Sequence, residues 1–260
     1  MLDLLKRYVV STEERVKRSS NDATSRMAVL DLDGTLLIGD IGDAVFAFLL
    51  LEGHKLALNW REYQHLLQTH KSKAYRAVVE AMAGLQVATI LHATSAVMNL
   101  KKDHLIIGSD RVCRPQPRLL LTQFVTLLQS FHYQVYVISA SNHVSVQYVA
   151  QTWFNIPPAF AFGIQAVVLE GRVTASLVNP VPVGPGKAEL FRRLTASAAP
   201  LITGTDSPLD LPLIRMTHPE GFSLWVGDNS ADYDSVKENA KPGQRFVFVG
   251  SGQESPPDDY

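Results

Sequence analysis

Four short apolar runs without polar alternation punctuate the chain: residues 27–32 (MAVLDL), Val135–Ser139 (VYVIS), Ser223–Val226 (SLWV) and Arg245–Val249 (RFVFV). Runs this short and continuous suit parallel strands that are covered on both faces. Helical periodicity near 142–153 and 187–197 falls between the second and third runs, with a hairpin expected around Glu170-Gly171. Strands alternating with helices predict an α/β fold with a doubly wound, Rossmann-like parallel sheet. The interval 40–112 differs: it offers helical patterns near 41–52, 59–70, 73–83 and 86–102 and no convincing strand. It reads as a helical cap inserted after the first strand. The expected division is a discontinuous core, 1–39 and 113–250, a cap at 40–112, and a tail, 251–260 (SGQESPPDDY), whose composition predicts disorder. Ser197–Gly221, with four prolines, is the longest stretch without an assigned element.

At 260 residues the chain can bury a substantial core without disulfides, and its one cysteine, Cys113, cannot form an intrachain bridge. That favours a reducing compartment, hence the cytoplasm. Acidic residues Asp3, Glu13 and Glu14 break up the N-terminal helix-like segment, so it does not read as a secretory signal, and the run Ala44–Leu51 is too short to span a bilayer. A formal net charge of −1 with no basic block argues against nucleic acid as a partner. Protein partners are not indicated.

The candidate chemistry sits at strand ends. In Asp31-Leu32-Asp33-Gly34-Thr35 two aspartates stand two apart after an apolar run, so both carboxylates emerge at the carboxyl edge of the sheet, where open α/β folds hold ligands. Ser139 closes the VYVIS run, and its hydroxyl is a donor suited to a phosphate oxygen. Lys187 follows the turn Gly184-Pro185-Gly186 and opens a helix, from which an ammonium can offset anionic charge. Gly227-Asp228-Asn229-Ser230-Ala231-Asp232 repeats the pattern of a strand broken by glycine and acids, and Asp228 and Asp232 suit an oxygen-rich magnesium site. Asp40 caps a helix starting near Ile41 or faces a ligand. Trp60, Tyr63 and Tyr75 are core residues or the lining of a cap pocket for an onium group.

These four segments, in this order, resemble the motifs of the haloacid dehalogenase superfamily over most of residues 27–250. The insert directly after the first motif resembles the cap of the phosphoserine-phosphatase-like branch, as do IQAVVLEGRVTASL and GPGKAELFRRL, and phosphorylcholine-phosphatase-like relatives are similar too. The chain departs from phosphoserine phosphatases after Ser139, where they carry small glycines and this chain has Ala140-Ser141-Asn142-His143, and at Ala231, where they carry Asn. The resemblance implies a Mg2+-dependent phosphomonoester hydrolase with an aspartyl-phosphate intermediate. Asp31 would be nucleophile and metal ligand; Asp33 would be general acid and base, with its carbonyl on the metal. Ser139 and Lys187 would hold phosphate, Asp228 would bind metal, and Asp232 would support the metal shell. Asp40 stands where phosphoserine phosphatases carry a glutamate for the substrate ammonium, which points to a small-molecule phosphate ester, with an amine-bearing one among the options. The same residues also suit a phosphomutase or phosphotransferase, a protein phosphatase, or a non-catalytic phosphate-binding module.

Overall fold

The computed structural model describes residues 1–19 and 26–250; the tail expected to be disordered lies outside the described residues. Six parallel strands form the central sheet: β1 (Met27–Leu30), β2 (Gln134–Asn142), β3 (Ala161–Ile164), β4 (Ile202–Thr205), β5 (Phe222–Val226) and β6 (Arg245–Val249). Their spatial order is β6-β5-β4-β1-β2-β3, so β1 lies between β4 and β2.

The period of two along β1 feeds two separate layers. Ala28 and Leu30 join a large core with Leu5, Val9, Phe124 and Val149, which come from helices α1 (Leu2–Ser19), α6 (Leu119–Ser130) and α7 (His143–Phe154). Met27 and Val29 pack on the opposite face against Ala188 and Phe191 of α8 (Pro185–Leu194) and against Leu213. Every residue of β1 is buried, as the unbroken run MAVL requires.

The insert between β1 and β2 contains α2 (Ile41–Leu51), α3 (Trp60–Thr69), α4 (Lys71–Ala81) and α5 (Val87–Met98). It also contains an antiparallel hairpin, His104–Ile107 with Asp110–Cys113, so the reading of this interval as purely helical is corrected. The hairpin pairs two four-residue strands, and only Val112 among its eight residues is buried, which leaves little apolar signal to read. The chain leaves and returns to the core through paired segments Leu37–Ile38 and Gln116–Pro117. Arg118 donates from Nε to Leu37 O (3.3 Å) and from Nη2 to Gly34 O (3.2 Å), bracing this crossing.

The hairpin expected at Glu170-Gly171 is present, with both residues at positive φ (50° and 76°), as a two-residue turn of this kind needs. Among the described residues no helix is long and apolar enough to cross a membrane. The chief departure from the sequence reading lies in 197–221, which contains β4, a central strand, followed by a short helix α9 (Leu211–Ile214).

Candidate active site

Asp31 extends the sheet beyond β1: its amide donates to Gly204 O of β4 (2.9 Å), and its Oδ1 accepts from Leu32 N (2.7 Å). The chain then coils through Leu32–Leu36, where Gly34 takes φ +71°, and Asp33 turns its carboxylate toward the base of the insert. Asp33 Oδ1 accepts from Ile41 N (2.7 Å), one of the amide donors left open at the start of α2. Its Oδ2 accepts from two hydroxyls, Ser139 Oγ (2.8 Å) and Ser141 Oγ (2.7 Å). One core carboxylate thus joins β1, β2 and the first helix of the insert.

Lys187, near the start of α8, is buried, and its Nζ lies 2.8 Å from Asp31 Oδ1 and 2.7 Å from Asp210 Oδ2. Thr205 Oγ1 donates to the same Asp210 oxygen (2.8 Å). Burial opposes the lysine's charge, but Asp210 and Asp31 outweigh it and raise its pKa above the ordinary value. For Asp31 burial dominates and pushes the carboxyl well up; Lys187 opposes this, and Asp210 and Asp206 add to it.

Asp206 follows β4 directly. Its carboxylate lies against Gly34, where a Cβ would stand 2.0 Å from Asp206 Oδ2, and it accepts from Thr35 Oγ1 (3.3 Å). Burial raises its pKa, partly offset by Lys187.

Asp31, Asp33, Ser141, Lys187, Asp206 and Asp210 open on one cavity of about 630 Å³ between the sheet edge and the insert. Its walls carry seven aspartates, Asp31, Asp33, Asp40, Asp43, Asp110, Asp206 and Asp210, and three basic residues, Lys71, Arg111 and Lys187. On the insert side Asp40 caps α2 by accepting from Asp43 N (2.9 Å). Asp43 accepts from the Tyr63 hydroxyl. Burial lifts Asp43 to about 6, with Tyr63 opposing the shift. Burial, then the charges of Asp33 and Asp43, lift Asp40 well above its usual range. Trp60 and Tyr75 line the cavity, whereas Tyr63 is buried edge-on against Phe46.

Of the residues singled out in the sequence, Asp31, Asp33, Lys187 and Asp40 come together here. Ser139 is adjacent but turned away: it is fully buried, its proton goes to Asp33, and its oxygen accepts from Ser141 N (2.9 Å). Asp228 and Asp232 are not brought to the site, which corrects their assignment to the metal and its shell. They follow β5, two strands from β1, or roughly 10 Å at the usual strand spacing. Asp228 is exposed, with Oδ1 3.4 Å from the Cβ position of Gly250, and Asp232 receives Asn229 Nδ2 (2.7 Å).

The position next to β1 belongs to Asp206 and Asp210, which sequence reading missed along with Ser141. Asp206 and Asp210 are four apart, as are Asp228 and Asp232, so spacing could not choose between the pairs. The available signal was the β-branched run Ile202, Thr203, Thr205 just before Asp206.

The donor set fits a hard divalent cation: Asp31 and Asp206 are carboxylates at the ends of adjacent strands, each raised by burial and also by the charge of Asp210. Among the described residues no three Asp, Glu, His or Cys side chains form a ready ligand shell. Two carboxylates, a main-chain carbonyl, water and a substrate oxygen are the complement that magnesium prefers.

The family model described as haloacid dehalogenase-like hydrolase matches residues 28–215, a span that includes Asp206 and Asp210 and excludes Asp228. No curated protein matches the chain. Solved structures similar to it include a protein of unknown function from Anaerococcus prevotii DSM 20548 (13% identity, 88% of this chain and 87% of that one, TM-score 0.65). A second, from Bordetella pertussis Tohama I and also of unknown function, shares 15% identity over 86% of this chain and 99% of that one, at TM-score 0.65. A substrate-bound phosphoserine phosphatase shares 13% identity over 88% and 94% of the two chains, at TM-score 0.56. At such identities these likenesses speak for the fold, and the family model carries the membership: the chain belongs to the haloacid dehalogenase-like hydrolases.

Proposed function

We propose that the protein is a Mg2+-dependent phosphomonoester hydrolase in which Asp31 is the nucleophile, acting on a small-molecule ester held under the helical insert. The observation that carries this reading is the buried contact of Lys187 with Asp31 at the sheet edge, 2.8 Å, beside a second strand-end carboxylate, Asp206. A carboxylate approaches a phosphate dianion only where positive charge offsets the repulsion. Lys187 supplies one charge; Asp31, Asp206 and the Asp33 carbonyl would hold a Mg2+ ion, which would supply the remaining positive charge.

Asp31 Oδ attacks phosphorus as the ester P–O bond breaks, and Asp33 gives its proton to the leaving oxygen. Water then attacks the aspartyl phosphate, giving its proton to Asp33, and Asp31 is released. The three donors on Asp33 fix its carboxylate at the junction with the insert, where the leaving group would lie. Asp210 and Thr205 keep Lys187 aimed at Asp31.

The insert side of the cavity carries Asp40 and Asp43 with Trp60 and Tyr75 nearby, which supports a leaving group bearing an amine or quaternary ammonium. A panel of phosphate esters, assayed for inorganic phosphate with Mg2+ and with excess EDTA, tests the proposal. Metal-dependent release that is abolished in Asp31→Asn is expected. Release that survives chelation or the substitution contradicts it, and transfer to a second acceptor without release would assign a phosphotransferase.

A further inference from the structure

We propose that Asp110, on the hairpin of the insert, is a specificity-determining positioning residue: it holds the indole of Trp60 as the wall on which the substrate's leaving group packs, so that the site favours phosphate esters whose leaving group offers an aryl ring or an onium group to a π face. This rests on the phosphohydrolase reading above.

Trp60 is the first residue of α3, and its backbone is set by a capping box: Asn59 Oδ1 accepts from Glu62 N (3.0 Å) and Glu62 Oε2 accepts from Asn59 N (3.1 Å). A side chain at this position has no preceding turn of its own helix to lie on, so the ring takes its place from tertiary contacts. Its Nε1 donates to Asp110 Oδ2 (2.8 Å), and the other oxygen of that carboxylate accepts from the neighbouring Ser109 Oγ (3.4 Å). The indole lies 5.6 Å from the ring of Tyr63 and 6.1 Å from that of Phe46, centroid to centroid, and Tyr63 donates in turn to Asp43. A continuous set of contacts thus runs from the hairpin through Trp60 to the acid in the first turn of α2.

All four residues of the hairpin's second strand, Asp110–Cys113, line the cavity that Trp60 also lines. Among the described residues the Trp60–Asp110 bond is the hydrogen bond that ties this strand to helices α2–α5. Asp110 is exposed, and the hairpin's anchor in the core is the buried Val112, so the carboxylate is not what keeps the hairpin folded. Its geometric effect is on the indole. The other aromatic ring of the cavity wall, Tyr75, already carries the Lys71 ammonium 5.9 Å from its centroid, which leaves Trp60 as the aromatic face open to a ligand. An indole face attracts cations and packs against rings.

Steady-state kinetics of the Mg2+-loaded full chain with p-nitrophenyl phosphate and with phosphorylcholine, together with competitive inhibition by inorganic phosphate, test this. Inorganic phosphate has no leaving group, so its inhibition constant reads the core alone. Asp110→Ala and Trp60→Phe each cut the one bond, and each is expected to raise KM about fivefold for the aryl ester, the onium ester or both, the ester affected identifying the occupant of the wall. Both variants should leave kcat and the phosphate inhibition constant within about twofold of wild type, the pattern of a lost leaving-group contact. Combined, they should cost no more than either alone, as two cuts of one contact do. Asp110→Asn keeps an acceptor oxygen and loses the charge, and should recover most of the affinity. Unchanged KM for both esters in Asp110→Ala, an equal rise in the phosphate inhibition constant, additive losses, or an Asp110→Asn variant as weak as Asp110→Ala overturns the proposal. Turnover of other esters by wild type but of neither of these two also overturns it and leaves the hydrolase reading standing. If wild type hydrolyses no ester at all, the hydrolase reading fails by itself, and titration calorimetry of the same variants with the same two esters decides the role of Asp110.

Discussion

The carboxylate of Asp206 lies against Gly34 so closely that any Cβ there would meet Asp206 Oδ2 at 2.0 Å. This contact welds the loop after β1 to the end of β4, and the backbone of Gly34, at φ +71°, is one that side chains disfavour. Gly34→Ala is therefore expected to cost about 1–3 kcal/mol of stability through backbone strain alone. It should also lower turnover more than any other alanine substitution of a glycine in the chain, because Asp206 must move. Denaturant unfolding and phosphate release on the same preparation check both parts.

Lys187 is wedged between Asp31 and Asp210, so replacing it leaves two buried carboxylates with no cation between them. Lys187→Met should destabilise the fold by about 3–5 kcal/mol, the usual result of breaking a buried ion pair from one side. Adding Asp210→Asn should restore part of that stability and none of the activity. Thermal melts of the single and double variants separate the two effects.

The pair Asp43 and Tyr63 gives a pH prediction. Burial raises Asp43 from 3.8 to about 6 in the folded state. Between those values the folded protein binds more protons than the unfolded chain, so this group makes stability fall as pH rises, with the full penalty present above about pH 6. Asp43→Asn keeps an acceptor for Tyr63 and removes the ionisation. It should stabilise the protein by on the order of 1–3 kcal/mol at pH 7.5 and give no gain below pH 4, as denaturation at both pH values would show.

The sheet's outer framework and the first motif were legible because apolar continuity marks buried strands, and MAVL, VYVIS, SLWV and RFVFV are all strands of the sheet. The strand between β1 and β5 was not legible, for a physical reason. Its sequence, ITGT, spends its buried positions on polar and minimal side chains. Thr203 Oγ1 bonds with Thr217 Oγ1 (2.8 Å) and Ser223 Oγ (2.7 Å), a hydroxyl network in place of apolar packing. Gly204 leaves room for Leu30, since a Cβ there would stand 2.8 Å from Leu30 Cδ2 and push that side chain aside. With that strand unassigned, Asp228 after SLWV stood in the sequence where the proposal puts Asp206, which follows the true neighbour of β1. The sequence leaves Asp40 open as a helix cap or a ligand contact. It does cap α2, and it also lines the cavity.

Asp40→Asn tests the amine reading. Asparagine caps helices as well as aspartate, so the fold should be retained. In wild type the carboxyl is held up by burial and by Asp33 and Asp43, a situation that a substrate cation would relieve. KM for an amine-bearing ester should rise about tenfold or more, while p-nitrophenyl phosphate changes little, because only the former loses a charge-assisted contact. Equal losses on both would reduce Asp40 to its capping role.

Asp206, the acidic residue proposed to complete the metal site, follows β4. The most direct measurement is the Mg2+ dependence of phosphate release by Asp206→Asn and Asp228→Asn beside wild type. Loss of a carboxylate that binds the metal should cut kcat/KM by about a hundredfold or more in Asp206→Asn and raise its Mg2+ requirement. Asp228→Asn should stay within about threefold of wild type, with an unchanged Mg2+ midpoint, as a substitution away from the site would. An Asp206→Asn enzyme with normal metal dependence, or an Asp228→Asn enzyme that has lost it, would exclude Asp206 as the metal-binding acid.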